Sequence, residues 1–255
     1  MKLKKQLKIF LKKIFYFGNK YYCPNCNSFL RDFVFCGTES VVSVEKQIIG
    51  AGRRKMECPI CHSAERDRLL YLYIKDYLHL FENQEKINIL HIAPEECLFS
   101  VFYKKINHQN YVCGDKFEEG YKYAKHVQFI DVTDINYEDN YFDLILCNHV
   151  LEHIPNDRKA MQELHRVLKP GGKAILQVPL SHIIKDTCED FSITNPAERI
   201  ELFGQWDHCR IYARQDYEIR LKEAGFTFCP VKIPVNNYPK YGLDEREEVM
   251  VVTKE

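Results

Sequence analysis

The chain alternates short apolar runs with amphipathic stretches. Runs at 87–93, 110–114, 126–130, 142–148, 173–179, 226–232 and 247–253 have the length and density of buried strands. Several are separated by segments with apolar residues at helical spacing, at 64–80, 157–168 and 214–224. The segment at 157–168 would bury Ala160, Met161, Leu164, Val167 and Leu168, and Pro170-Gly171-Gly172 would stop it and reverse the chain. Strands alternating with helices predict an α/β fold: a Rossmann-like, mostly parallel seven-stranded sheet with helices on both faces.

Two further segments precede this pattern. Residues 1–20 place Leu3, Leu7, Phe10, Leu11 and Ile14 at helical spacing among seven lysines. Such a basic amphipathic helix either packs on its own domain or lies on an anionic membrane or a partner protein. Residues 21–62 lack long periodic patterns and read as short strands and turns. The expected organisation is therefore a basic segment at 1–20, a small module at 21–62 and the α/β domain at 63–255.

Composition narrows the setting. The 36 basic and 36 acidic residues cancel, which argues against a nucleic-acid coat. No apolar run approaches the ~18 residues of a membrane span. The lysines of residues 1–20 break any secretory core, so the expected location is the cytoplasm, with membrane association only through that segment. Eleven cysteines, most of them single within apolar runs, fit free thiols and metal ligands.

Cys23-Pro-Asn-Cys26 and Cys58-Pro-Ile-Cys61 form two CxxC knuckles. Two residues between cysteines let one turn aim both thiolates at one ion, and two such turns complete a tetrahedral site. Structural zinc held by Cys23, Cys26, Cys58 and Cys61 is expected, making residues 21–62 a zinc-ribbon-like module. Binding would supply folding free energy that so short a segment otherwise lacks. Cys36 and His62 read as bystanders. Ser63 reads as the N-cap of the following helix, and Arg66 and Arg68 as solvated first-turn residues. The alternative for the two arginines is contact with an anionic substrate or the cofactor carboxylate.

The stretch FDLILCNHVLEHIPNDRKAMQELHRVLKPGGKAILQVPL, from Phe142 to Leu180, carries the most specific signal. Together with Asp131, Asp139 and a trail through Thr187, Glu189-Asp190, Arg199, Phe203-Gly204-Gln205, Asp207-His208, Arg210, Tyr212 and Ala224-Gly225-Phe226, it resembles the type 11 group of class I S-adenosylmethionine (SAM)-dependent methyltransferases. The segment CPICHSAERDRLL is similar to a zinc-knuckle subgroup of these enzymes.

The resemblance implies SAM as cofactor and assigns residues to it. Asp115 matches the carboxylate that pairs with the ribose hydroxyls, and Asp131 with Val132 the pair that holds adenine. Asn148 lies where the methionine part is expected. The loop His91-Ile-Ala93-Pro94-Glu95 replaces the usual Gly-x-Gly turn, where close approach and a positive φ favour glycine. Ala93 is small enough to tolerate that approach, and Glu95 would meet the cofactor ammonium.

Methyl transfer needs alignment and often a base. His149 and His153 flank the loop after the fourth strand and are base candidates. Asp207, His208 and Arg210 form a second polar cluster, where an arginine would suit an anionic acceptor. The leading expectation is methylation of a small or saccharide-linked acceptor. The alternatives are RNA base methylation, which the neutral charge and the absence of an Asn/Asp-Pro-Pro-aromatic motif at 148–151 disfavour, and a non-catalytic SAM-binding or zinc-dependent interaction protein.

Overall fold

The computed structural model describes residues 2–82, 87–106, 108–117, 123–124, 126–234 and 238–255. The N-terminal part comprises helix α1 (Lys2–Phe15), strands β1 (Tyr21–Cys23), β2 (Ser28–Leu30) and β3 (Val34–Cys36), the short helix α2 (Val41–Glu45) and strand β4 (Arg54–Glu57). β1 pairs with β2 and β3 with β4, both antiparallel.

The α/β part follows as α3 (Glu65–Asp76), β5 (Ile89–Ile92), α4 (Glu96–Lys105), β6 (Tyr111–Asp115), β7 (Val127–Phe129), β8 (Phe142–Cys147), α5 (Asp157–Val167) and β9 (Leu168–Ile175). Then come β10 (Leu180–Ser181), β11 (Cys188–Glu189), α6 (Pro196–Phe203), β12 (Arg210–Ala213), α7 (Arg214–Glu223), β13 (Thr227–Phe228), α8 (Tyr238–Tyr241) and β14 (Val251–Thr253).

The main sheet has seven strands in the order β13-β14-β9-β8-β5-β6-β7. The five strands from β9 to β7 are parallel, and β14 runs antiparallel beside β9. Because strand side chains alternate between faces, Leu90, Ile92, Ile145 and Cys147 pack against α5 and α7. Ile89, Leu144 and Leu146 pack against α3 and α4 on the other face. A smaller sheet, β10-β12-β11, stands beside the main one.

The Pro170-Gly171-Gly172 segment does not form a separate turn. α5 ends at Val167 and the chain passes straight into β9, with the register against β8 shifting between Phe142 and Leu144. Ser63 is not the N-cap of α3. That position belongs to Ala64, whose N–H donates to the Asp67 carboxylate at 2.7 Å. Nor is Arg68 solvated: it is fully buried. Its guanidinium donates to the carbonyls of Met56, Ser63, Tyr241 and Gly242 at 2.7–2.9 Å and lies 4.1 Å over the Phe33 ring.

The N-terminal module is joined to the sheet at more than its boundary. Ile49 bridges to Leu180, Ser181 Oγ donates to the Lys46 carbonyl, and Val42 and Ile48 pack with Phe203 and Ile211.

Candidate active site at the carboxyl edge of the sheet

β5 lies between β6 and β8, so the chain leaves these neighbouring strands in opposite directions and a crevice opens above their carboxyl ends. A cavity of about 180 Å³ fills it, walled by Ile92, Ala93, Asp115, Lys116, Tyr123, Ile130, Val132, Val150 and Ile154 with His149, His153 and Asp207. Gly114 makes the floor possible, because a Cβ there would lie 2.4 Å from the Ile130 side chain.

Of the residues at 91, 93, 94 and 95 expected at the cofactor, only Ala93 lines this cavity. It takes the conformation that favours glycine, φ +47°, while its N–H donates to the Gly114 carbonyl at 2.8 Å. The period-two alternation of β5 turns His91 away, toward α4. There its ring nitrogens meet the Tyr111 hydroxyl at 2.8 Å and the Glu95 carboxylate at 2.9 Å. His91 therefore positions Glu95 rather than touching a cofactor, and the Glu95 carboxylate is engaged by His91.

Asp115 ends β6 on the cavity wall, where a ribose-binding carboxylate is expected. Asp131 is placed otherwise. One carboxylate oxygen accepts the Thr133 N–H at 2.9 Å and hydroxyl at 2.7 Å, and the other pairs with Lys116 at 3.1 Å. Those contacts leave acceptor capacity on the carboxylate, but Asp131 is not part of the lining of this cavity, whereas Val132 supplies apolar wall. Asn148, at the end of β8, is buried with neither amide atom partnered. Buried amides are otherwise nearly always hydrogen-bonded, so this one fits the polar methionine end of SAM. The apolar wall fits its adenine.

A second cavity of about 340 Å³ adjoins the first, and His149, His153 and Asp207 line both. Its walls come from Pro179, Phe203, Gly204, His208 and Ile211 on one side. Cys36, Gly37, Gly50, Gly52, Met56 and Arg66 of the N-terminal module and the start of α3 form the other.

Between the cavities lies Glu152, in a single 3-10 turn at Leu151–His153. Its buried carboxylate has one oxygen 3.3 Å from His149 Nδ1, and its other oxygen has no partner. Burial pushes this carboxyl up, while the His149 hydrogen bond holds it below its ordinary value. Burial lowers His149, and lowers His208 to about 4, so both imidazoles are neutral near pH 7. The Nε2 of His149 is buried without a partner. His153 Nδ1 lies 3.2 Å from the Asp207 carbonyl and 3.4 Å from its carboxylate. Sequence reasoning did not single out Glu152; its signal was a carboxylate three residues after one histidine candidate and beside the other.

Arg210 does not reach for an acceptor. It is buried, and its donors are taken by the Leu151, Ile154 and Pro155 carbonyls and the Glu189 carboxylate. It pins the loop that carries Glu152 and His153.

The four knuckle cysteines converge away from these cavities. Cys23 and Cys61 sulfurs lie 3.6 Å apart and those of Cys26 and Cys58 3.8 Å apart, with all four within 4.8 Å of one another. All are free thiols. Four thiolates about 2.3 Å from one tetrahedral ion would be about 3.8 Å apart, so the donor set fits zinc. The hydroxyl of Ser63 lies 3.3 Å from Cys23 Sγ and 3.2 Å from Cys61 Sγ.

The chain is similar to known proteins over this α/β part. A family described as a methyltransferase domain matches residues 64–230, more than half of the chain. An uncharacterised protein of Methanocaldococcus jannaschii is 32% identical over 115 residues, covering 44% of this chain and 49% of the relative. The demethylmenaquinone methyltransferase of Staphylococcus carnosus is 38% identical over 60 residues, 23% of this chain and 25% of that enzyme. The chain thus spans about half the length of the first relative and a quarter of the second. A SAM-dependent methyltransferase structure from Archaeoglobus fulgidus superposes with a TM-score of 0.45 at 14% identity, over 65% of this chain and 72% of that one. With the family match over its α/β core, the chain belongs to the methyltransferase-domain family.

Proposed function

We propose that the protein transfers the methyl group of SAM to an oxygen nucleophile on a small-molecule acceptor, free or linked to a saccharide. The observation that carries this reading is the meeting of two cavities at His149, one at the switch point of the sheet and one beyond it. The first suits SAM, with Asp115 at the ribose and Asn148 at the methionine end. The second suits the acceptor. Relatives named as demethylmenaquinone methyltransferases favour a small molecule there. The type 11 motifs and the knuckle segment before α3 favour the zinc-knuckle subgroup, with structural zinc on Cys23, Cys26, Cys58 and Cys61.

SAM, when bound, supplies an electrophilic methyl group on a sulfonium sulfur. His149 is the base: Glu152 orients its Nδ1, leaving Nε2 unpartnered. His149 Nε2 takes the proton of the acceptor hydroxyl as its oxygen bonds to the methyl carbon. The carbon–sulfur bond breaks with its electron pair left on sulfur, so charge and atoms balance. Arg210 and Asp207 are positioning residues, holding the loop at 151–155 and the His153 ring.

The test is methyl transfer from labelled SAM, run beside calorimetry of SAM binding. His149→Ala is expected to lower the rate about 100- to 10,000-fold, while SAM affinity stays near that of the wild type. Equal rates in both proteins remove His149 from the reaction. Folded wild-type protein that binds no SAM overturns the whole reading.

A further inference from the structure

We propose that Glu152, His153 and His208 form a second metal site, separate from the cysteine cluster, that holds a divalent transition-metal ion in the acceptor cavity. These three residues offer one carboxylate oxygen and two imidazole nitrogens that all lie within 4.8 Å of one another. Two imidazoles and a carboxylate on one side of an ion, with open positions opposite, suit zinc, manganese, iron or cobalt rather than calcium or magnesium.

The spacing is that of ligands around an ion rather than of a hydrogen-bonded cluster. His153 Nε2 lies 3.9 Å and His208 Nε2 4.0 Å from the same Glu152 oxygen. Neither is a hydrogen bond, since N–H···O bonds lie at about 2.7–3.2 Å. Ligands on one side of an ion, each about 2.0–2.1 Å away, stand roughly 3.0–3.4 Å apart, so the three groups leave room for an ion and would draw in on it by under about 1 Å.

A second observation is independent of the spacing. The other Glu152 oxygen has no partner although the residue is only 1% exposed. A carboxylate oxygen buried without a partner is costly to desolvate and calls for a donor or a cation to meet it.

The outer contacts also fit. His153 Nδ1 faces the Asp207 carbonyl and carboxylate, which directs its Nε2 lone pair inward, and His149 Nδ1 fixes the first Glu152 oxygen. Metal-bound histidines are typically anchored in this way. All three ligands line the second cavity. On the reading that this cavity takes the acceptor, the ion would receive an acceptor oxygen and select molecules with a hydroxyl beside a second oxygen donor.

The test uses cobalt(II) alone, titrated without SAM or acceptor into protein that carries one zinc per chain, on the four cysteines. About one cobalt per chain should bind with no release of zinc and no thiolate-to-cobalt absorption. Glu152→Gln, which keeps the side-chain shape, and His208→Ala should each weaken uptake by roughly tenfold or more, with the zinc content unchanged. Because buried variants can lose their fold, pulsed electron paramagnetic resonance of manganese(II) in the wild type provides a separate reading, expected to show two imidazole nitrogens. No uptake beyond zinc, uptake untouched by both substitutions, or manganese without imidazole coupling overturns the site. None of these outcomes bears on SAM binding, so methyl transfer stands or falls separately.

Discussion

Ala93 and His149, on the wall of the first cavity, hold φ angles of +47° and +53°. Left-handed backbone costs a non-glycine residue about 1–2 kcal/mol. It persists here because β5 and β8 end in loops pinned from both sides: the Ala93 N–H is held by the Gly114 carbonyl and the His149 N–H by that of Gln177. Ala93 thus does the work of the glycine that the resemblance led one to expect. Elsewhere a single buried side chain adds its own pH-dependent contribution to stability. Burial raises Glu247 from 4.5 to about 7, and Gln177 donates to one of its oxygens. Between those two values the native state keeps a proton that the unfolded chain has shed, so stability falls as pH rises through that window. Glu247→Gln, which keeps an acceptor for Gln177, should leave the melting temperature unchanged near pH 4. Above pH 7 it should stabilise by on the order of 3 kcal/mol; equal melting temperatures at pH 8 would refute it. Roles of this kind were the least legible in the sequence. Arg68 bonds to carbonyls more than 170 positions away, and Arg210 to a loop some 55 positions before it. Local pattern carries no signal for such partners, so both read as available charges. Asp131 keeps its place beside Val132, but its contacts with Thr133 and Lys116 are ones that no local pattern marks.

At the scale of elements, hydrophobic period told most. Every apolar run singled out as a strand overlaps a strand of the main sheet, though β9 begins five residues before its run, and the stretches at 64–80, 157–168 and 214–224 contain α3, α5 and α7. The elements that periodicity missed are short or weakly patterned: α2, α4, α6 and the two-residue strands β10 and β11. They take their form from packing on the sheet and on each other. α1 shows the opposite case, a strong pattern whose apolar face is not used internally. Ile9 and Tyr16 pack on the knuckles and Lys12 donates to the Pro59 carbonyl. Leu7, Phe10, Leu11 and Ile14, at spacings of three, four and seven, are each more than half exposed. With lysines around that face, we propose an anionic lipid surface as its partner, since such surfaces attract each lysine with about 1 kcal/mol and admit the apolar side chains. Flotation with phosphatidylserine vesicles should carry the protein up at low salt, and much less at high salt or with neutral lipid. Changing Phe10 and Leu11 to serine should abolish it. Protein that stays at the bottom with anionic vesicles would rule the lipid surface out.

At the scale of the whole molecule, the boundary expected between residues 62 and 63 does not separate two working parts. The second cavity, proposed to take the acceptor, is walled on one side by residues of the N-terminal module and on the other by the α/β domain, with Arg66 of α3 between them. That wall is anchored by Arg68, whose four carbonyl partners tie the second knuckle and β4 to residues 241–242, and by the cysteine cluster itself. The small core there, Cys23, Leu30, Phe33, Cys58 and Ile60, is too slight to stand without a further cross-link. A metal ion on the four sulfurs would supply it, and its removal should act at a distance. Cys58→Ser should cut zinc from about one per chain to a small fraction and make residues 21–62 susceptible to protease. The main sheet, with a separate core on each face, should stay folded and keep its SAM affinity. The acceptor cavity, having lost a wall, should show a raised acceptor KM at little-changed kcat, since the base and the methyl site lie on the other side. A variant that retains zinc would place the metal elsewhere. One that loses zinc yet keeps its KM would show that the module stands beside the acceptor site without shaping it.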